Sequence, residues 1–510
     1  MTHAKSFLLF IRWSSSIRWR QKVFSFILIP IFHSSLKVES VPTSRKKVLV
    51  IAYIFPPLAR AGVHRTVRFA RYLPELGWDL TVLTVAEAYY PPNSPMDREL
   101  LRKIPHGVKI ESTPVFRGVE NLFQLKNFLR KKKKASPSHK PQSIGAKALA
   151  EEGASGHVKT ANAKSRGFIQ RGKDLITDLT SIPDKDVNWL PHAVRRALAL
   201  HRREKFDLVY STAPPFTDHL VAQLIKQRTG LPWVADFRDP WARAPWKAEI
   251  LGESVRGKAA AKLERRFVTH ADRVILNTDW IHREFTEHYG AHLARKFTVI
   301  TNGFDPQDFA DPVMPGERGN KLVITHTGAL YRKRSPEQFF AACERLLAQG
   351  KIAPHELELR FVGGIAPELY RTFECSEALR QTIQVIPQVS HREALGYQMQ
   401  SDVLFILQPG TSVSVPGKIF EYIGMRKRIL ALTPPGATAD VVRENNLGPV
   451  IDPEDLPGIE AALRQLVEEY RNGGIQAPSV NGAFKKYDGA ELTRQLHHEF
   501  LLSLEHGGRR

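Results

Sequence analysis

Short apolar runs alternate along this chain with amphipathic stretches of helical spacing. The first runs fall at Val48–Phe55, Leu80–Val85, Leu208–Ser211, Trp233–Phe237, Val274–Asn277 and Phe297–Ile300. Between the first two, Val63, Val67, Ala70, Leu73 and Leu76 share one helical face. Near-continuous apolar strands joined by helices fit a parallel sheet covered on both faces. The pattern pauses at Asn302-Gly303-Phe304-Asp305-Pro306 and stays polar to Asn320, as a linker does. It restarts with strands at Leu322–Thr327, Leu357–Val362, Ile383–Ile386, Val403–Leu407, Ile429–Leu432 and Val450-Ile451-Asp452. Helical spacing returns at Pro336–Leu347, His391–Met399 and Ile459–Tyr470, and a last stretch, Ala490–Leu504, is long enough to cross back over the first half. The expected fold class is α/β, with two facing Rossmann-like domains, 47–305 and 306–487, a helix in 488–510, and one interdomain cleft.

Composition changes this picture little, and charge changes it more. Two domains plus extensions suit 510 residues with 42% hydrophobic content. Cys343 and Cys375 are the two cysteines, too few for a disulfide framework and without metal-ligand spacing, so a reducing, cytoplasmic location is expected. Of the net charge of +22, residues 1–47 carry +8 and residues 117–173 carry +11, which leaves the folded body nearly neutral. The basicity therefore belongs to two appendages.

The N-terminal extension, 1–46, holds Val23–Phe32, broken by Pro30 and preceded by Arg12, Arg18, Arg20 and Lys22. That run is shorter than the roughly 20 residues a spanning helix needs, and no small-residue cleavage site follows it. Three readings stand: an interfacial anchor, a disordered tail, or residues upstream of the true start. The second appendage is a basic insertion at about 118–172, including Arg130-Lys131-Lys132-Lys133-Lys134. It reads either as a solvated, disordered insertion or as a latch on an anionic membrane surface, placing the protein peripherally on the inner face of the cytoplasmic membrane. The missing aromatic interleaving argues against nucleic acid as a partner.

Candidate chemistry gathers at strand ends. Gly328 closes one strand and is followed by Arg332, Lys333 and Arg334; a later unit adds Pro416-Gly417-Lys418. Glycines admit close backbone approach and fixed cations suit a diphosphate, so Gly328, Lys333, Arg334 and Lys418 are donor-binding candidates. In the first half, Gly62 opens a helix carrying His64 and Arg65, which face either cleft or solvent. Asp236-Phe237-Arg238-Asp239 closes a strand at the ligand edge. Asp184-Lys185-Asp186 superficially matches an acidic metal pair but precedes a helix and reads as helix-start chemistry. Neither a nucleophile elbow nor a Walker sequence is present.

Ile51–Thr66, Ser211-Thr212-Ala213-Pro214-Pro215-Phe216, Asp236–Trp241, Thr301-Asn302-Gly303, Thr327-Gly328-Ala329-Leu330-Tyr331 and Pro416–Glu421 together resemble family 4 glycosyltransferases. The resemblance spans roughly 46–505 outside the basic insertion. It implies a GT-B fold and transfer of a sugar, with retention of configuration, from a nucleoside-diphosphate sugar to a lipid-linked or polysaccharide acceptor. No cofactor and no metal are implied. Glu421 resembles the second glutamate of the family's pair separated by seven residues, which holds the nucleotide ribose; it also reads as a helix N-terminal charge. The first glutamate's position is Val413, so its contact to the transferred sugar must come from elsewhere, such as the backbone amides of Thr411–Ser414. Arg238 stands near where relatives carry a histidine, which leaves Asp239 and Arg238 as the catalytic candidates, or equally as a structural pair. Gly62, His64 and Asn302 are the acceptor-side candidates. A nucleotide-sugar epimerase of the same fold and a non-catalytic, membrane-associated scaffold are the alternatives.

Overall fold

The computed structural model describes residues 45–116, 182–242, 254–331, 334–373, 376–479 and 481–507. The basic insertion and all but the end of the N-terminal extension lie outside the described residues. The first sheet contains β1 (Lys46–Ile51), β2 (Trp78–Val85), β3 (Lys109–Thr113), β4 (Leu208–Ala213), β5 (Trp233–Phe237), β6 (Arg273–Leu276) and β7 (Phe297–Val299) in the order β3-β2-β1-β4-β5-β6-β7. The second contains β8 (Leu322–Thr327), β9 (Leu357–Val362), β10 (Ile383–Ile386), β11 (Val403–Leu407), β12 (Arg428–Leu432) and β13 (Val450–Ile451) in the order β10-β9-β8-β11-β12-β13. Every strand pairing in both sheets is parallel. The strand order reverses beside β1 in one sheet and beside β8 in the other, and such switch points open a crevice at the carboxyl edge.

The alternating pattern produces these sheets because both faces of each are covered. Strands β4, β5, β8 and β11 are buried along their whole length; β11 is wholly apolar, whereas β4, β5 and β8 also bury polar residues such as Ser211, Asp236 and His326. Two elements differ from the expected pattern. The run Val48–Phe55 is strand only to Ile51, and Ala52–Phe55 continues as a buried loop whose Tyr53 amide donates to Asp218 Oδ2 at 3.0 Å. An apolar run therefore outlasts its strand where the following loop is itself buried. Strand β3, Lys-Ile-Glu-Ser-Thr, escapes the pattern because it is a largely exposed edge with a polar composition.

The helices that position the cleft are α1 (Val63–Tyr72), α2 (Leu190–Glu204), α3 (Thr217–Thr229), α4 (Val255–His270) and α5 (Asp279–Tyr289) in the first domain. In the second they are α6 (Glu337–Ala348), α7 (His391–Gln400), α8 (Lys418–Gly424) and α9 (Leu456–Arg471). The linker is pinned to the first domain, since Asp305 accepts from Tyr72 at 2.8 Å and from Arg71 at 2.9 Å. Helix α10 (Gly489–Gly507) returns to the first sheet, where Leu492, Leu496 and Phe500 join its core and His497 Nδ1 accepts from the Trp78 indole at 2.8 Å. The two domains also touch directly: Thr278 Oγ1 donates to the Val413 carbonyl at 2.8 Å, and the Trp280 indole to Asp440 at 2.6 Å. No helix among the described residues is long and apolar enough to cross a membrane.

Candidate active site

On the second domain, β8 ends at a polar, cationic edge. Gly328 adopts φ 114° and Gly363, at the end of β9, φ 139°. A side chain at Gly363 would strike the Gly328 carbonyl, so both positions keep the backbone open there. Lys418, in the first turn of α8, reaches this edge: its amine donates to the Thr327 carbonyl and stands 3.3 Å from His326 Nε2. The other imidazole nitrogen of His326 meets the Phe405 carbonyl at 3.1 Å; that pairing assigns the proton to Nδ1 and leaves Nε2 as an acceptor. Arg334 lies across the same edge, donating to Gln408 Oε1 at 2.6 Å beyond β11. Burial and then the Arg334 charge hold the Lys418 pKa well below the ordinary lysine value. Burial, followed by Lys418 and Arg334, likewise lowers that of His326. Two crowded cations beside two glycines make an edge that an anion would relieve. Lys333 lies outside the described residues.

Glu421 follows Lys418 by one helical turn and turns its carboxylate toward α7. Its Oε1 is 2.9 Å from His391 Nε2, and its Oε2 accepts a longer bond, 3.4 Å, from Gln398. Gln398 also donates to Thr327 Oγ1 at 3.0 Å, which in turn meets the Tyr422 hydroxyl at 3.1 Å. Burial alone would raise the Glu421 pKa, but the His391 charge and hydrogen bond hold it below the ordinary value. His391 is raised correspondingly: burial opposes its charge, and Glu421 outweighs it. Sequence reasoning missed His391 as a site residue. Its one local signal is the capping box Ser390-x-x-Glu393, which sets it in the first turn of α7.

The first domain presents His64 to this pair. The His64 and His391 rings stand 4.5 Å apart, centre to centre, which makes His64 a direct cross-cleft neighbour of the Glu421 cluster. Its edge reaches solvent, while the enclosing side chains and His391 push its pKa below the ordinary histidine value. Its neighbour Arg65 faces neither cleft nor solvent. It is buried beneath α1 and clasps Asp236 through two bonds of 2.9 and 2.8 Å, with further bonds to the carbonyls of Ile300 and Thr301. Tyr210 and Thr212 complete Asp236 at 2.7 and 3.0 Å. Burial disfavours the Asp236 charge, but Arg65 keeps its pKa below the ordinary value. Asn302 joins the underside of this hub: its amide donates to Asn277 Oδ1 at 2.9 Å, and its side-chain oxygen is 3.5 Å from Arg65.

Arg238 is placed beneath Gly62 rather than in the open cleft. Its guanidinium donates to the carbonyls of Ala213 and Pro214, and a side chain at Gly62, where φ is 89°, would fall onto it. Asp239, the next residue, is half-buried at the end of β5. The loop at Trp241 is capped by Glu264, whose Oε2 accepts from the amides of Trp241 and Ala242 at 2.9 and 2.8 Å. Asp184 accepts from the Asp186 amide at 3.0 Å, just before the turn Val187–Trp189 that leads into α2, and also from the Thr217 amide and hydroxyl at the start of α3 at 2.9 and 2.7 Å. Val413 is buried in the core of the first domain, so the position of the family's first glutamate serves here as an interdomain contact. The structure thus gathers Gly328, Arg334, Lys418 and Glu421 on one edge, sets His64 opposite them, and keeps Arg238 and Asn302 within the supporting layer of the first domain.

Residues 145–303 match the model of the glycosyl transferase 4-like domain. The matched stretch contributes β4 to β7 of the first sheet, with Asp236–Trp241 and Asn302. A D-inositol 3-phosphate glycosyltransferase of Geodermatophilus obscurus is 23% identical over 57% of this chain and 66% of its own length. Another protein of that name from Nocardiopsis dassonvillei is 26% identical over 34% of this chain and 40% of its own. The chain thus aligns with less than two thirds of either relative. Among solved structures, HepE of Anabaena in complex with UDP superposes with a TM-score of 0.54 at 14% identity, covering 89% of this chain and 98% of that one. The two-sheet α/β fold is of the GT-B type.

Proposed function

We propose that this protein transfers a sugar from a nucleoside-diphosphate sugar to an acceptor, with the donor held on the edge formed by Gly328, Arg334, Lys418 and Glu421. The observation that carries this reading is the pairing of two mutually repelling cations with a carboxylate one helical turn away. Such an edge matches a diphosphate beside a ribose. Lys418 and Arg334 meet the diphosphate, Glu421 accepts from the vicinal ribose hydroxyls, and Gly328 and Gly363 leave room for the phosphates. During transfer the bond from the sugar's anomeric carbon to the diphosphate oxygen breaks, and its electron pair stays on that oxygen. The acceptor oxygen forms the new bond, with retention of configuration, and the acceptor's proton ends on the diphosphate or on water. Charge on the leaving group grows toward the transition state, so fixed cations lower the barrier and no metal is required.

The acceptor, lipid-linked or a polysaccharide, enters from the first domain, where His64 stands opposite the donor edge. The basic extension and insertion hold the protein on an anionic membrane surface. The relatives' name supports a glycosyltransferase, and the UDP in the Anabaena complex supports a nucleotide donor. The test is a thermal-shift screen of nucleotide sugars, followed by an assay of nucleoside-diphosphate release with and without acceptors. Stabilisation by a nucleotide sugar and acceptor-dependent release support the reading. A protein that no nucleotide sugar stabilises refutes it.

A further inference from the structure

Beside the donor edge lies a second constellation, of which the proposed transfer uses only His64, as part of the acceptor-side wall. His64 from the first turn of α1, Asp308 from the linker and His391 from the first turn of α7 bring one potential ligand atom each to within 4.8 Å of one another. They come from three separate parts of the chain: the first domain, the linker and the second domain. We propose that His64, Asp308 and His391 bind a divalent transition-metal ion, zinc or its chemical kin, which fastens the two domains together on one side of the cleft.

The donor set selects the metal. Two imidazoles with one carboxylate suit zinc, cobalt or nickel, and are poor for calcium or magnesium, which take oxygen ligands. Glu421 Oε1 stands 2.9 Å from His391 Nε2. It supplies either a fourth ligand or the carboxylate partner that orients a metal-bound histidine. Charges around the site are balanced: Lys103 contacts Asp308 at 2.7 Å and Arg68 lies near His64, while Asp308 and Glu421 face them. The ion competes with Lys103 for Asp308. His64 is exposed to solvent, which gives the ion a path in. Ligands on a tetrahedral ion with bonds of about 2.0–2.1 Å stand about 3.3 Å apart. Binding therefore draws these atoms together by roughly 1.5 Å at most, a small closing movement of the domains.

Because the site shares Glu421 with the ribose position, an ion here locks the cleft and is not a reagent in the transfer. The metal-binding claim does not depend on the transfer reading, and its test does not use activity. The full-length protein, freed of metal, is titrated with zinc by calorimetry and with cobalt by visible absorption. The series is repeated on His64→Gln, His391→Gln and Asp308→Asn. The expected result is one tight equivalent in the wild type, a cobalt spectrum of low-symmetry coordination, and affinity at least tenfold weaker in every variant. Zinc should also raise the melting temperature of the wild type, and raise that of the variants less. Each variant is first melted without metal; if a histidine variant does not unfold cooperatively, the near-isosteric Asp308→Asn decides. Unchanged affinity and stoichiometry in the folded variants overturn the proposal, as does a wild type that binds zinc no better than millimolar.

Discussion

Lys418 and Glu421 stand one helical turn apart, yet the proposed donor site assigns them opposite ends of the nucleotide. Truncation of each should therefore leave a different signature. Removing Glu421 takes away a carboxylate that accepts from two ribose hydroxyls. At about 1.5–3 kcal/mol for hydrogen bonds to a charged group, affinity should fall about 10- to 150-fold, by the same factor for nucleoside, monophosphate and diphosphate. A 2′-deoxy diphosphate should bind Glu421→Gln nearly as well as its ribose parent. Lys418→Ala should spare the nucleoside and weaken the diphosphate over the same range, with a loss that shrinks as salt rises.

Lys418 carries a second signature. Its pKa is held well below the ordinary lysine value by burial and then by Arg334. A bound diphosphate favours the charged amine, so binding should draw protons from solution. Calorimetry in two buffers of different ionisation enthalpy reads that uptake directly. The wild type should take up protons when it binds diphosphate but not nucleoside, and Lys418→Ala should take up fewer. Identical losses across the whole series for both variants, with no change in proton uptake, would mean that the substitutions merely loosen the fold.

Other consequences concern stability, pH, metal and membrane. Asp236→Ala leaves Arg65 buried and unpaired, so stability should fall by about 3–5 kcal/mol; a loss under 1 kcal/mol in denaturant titration would contradict the hub described here. The His391–Glu421 pair should stabilise the fold most between the ordinary glutamate value of 4.5 and the ordinary histidine value of 6.5. The contribution of His391, whose pKa is raised, is lost as pH rises through that raised value. The contribution of Glu421, whose pKa is lowered, is lost as pH falls through that lowered value. The melting-temperature difference between the wild type and His391→Gln should accordingly peak in this window, and a difference that keeps growing above neutrality would refute the pairing. Turnover should persist in chelator, and activity lost in EDTA and restored by manganese would count against cationic side chains at the diphosphate. Deleting 118–172 should release the protein from anionic vesicles while nucleotide binding persists; retention on vesicles at high salt would exclude the latch.

The two sheets were legible because their strands are buried on both faces and leave near-continuous apolar runs, as at β4, β5, β8 and β11. The exposed edge β3 left no such run, and the buried loop after β1 left one that overstates its strand. Lys418 and Glu421 could be singled out because a glycine, a cation and a carboxylate fall within five residues of one another at a helix start. His391 and His326 were hidden for the opposite reason. Their partners lie 30 and 92 residues away along the chain, and they meet only because neighbouring strands bring their carboxyl ends to one edge. Arg65 and Asp236 show the same limit: 171 residues separate the two charges, and neither position signals that the other neutralises it. Arg238 looked like a cleft residue because it follows a strand end, but the turn at Gly62 covers it.

Transfer of a sugar off a nucleoside diphosphate is read most directly by a turnover assay with the nucleotide sugar that stabilises the protein best, following nucleoside diphosphate and glycosylated acceptor together. Equal amounts of both products are expected, formed in chelator, with a rate sharply reduced by Lys418→Ala. Interconversion of the nucleotide sugar without acceptor, or tight nucleotide binding with no release of diphosphate toward any acceptor, would contradict transfer.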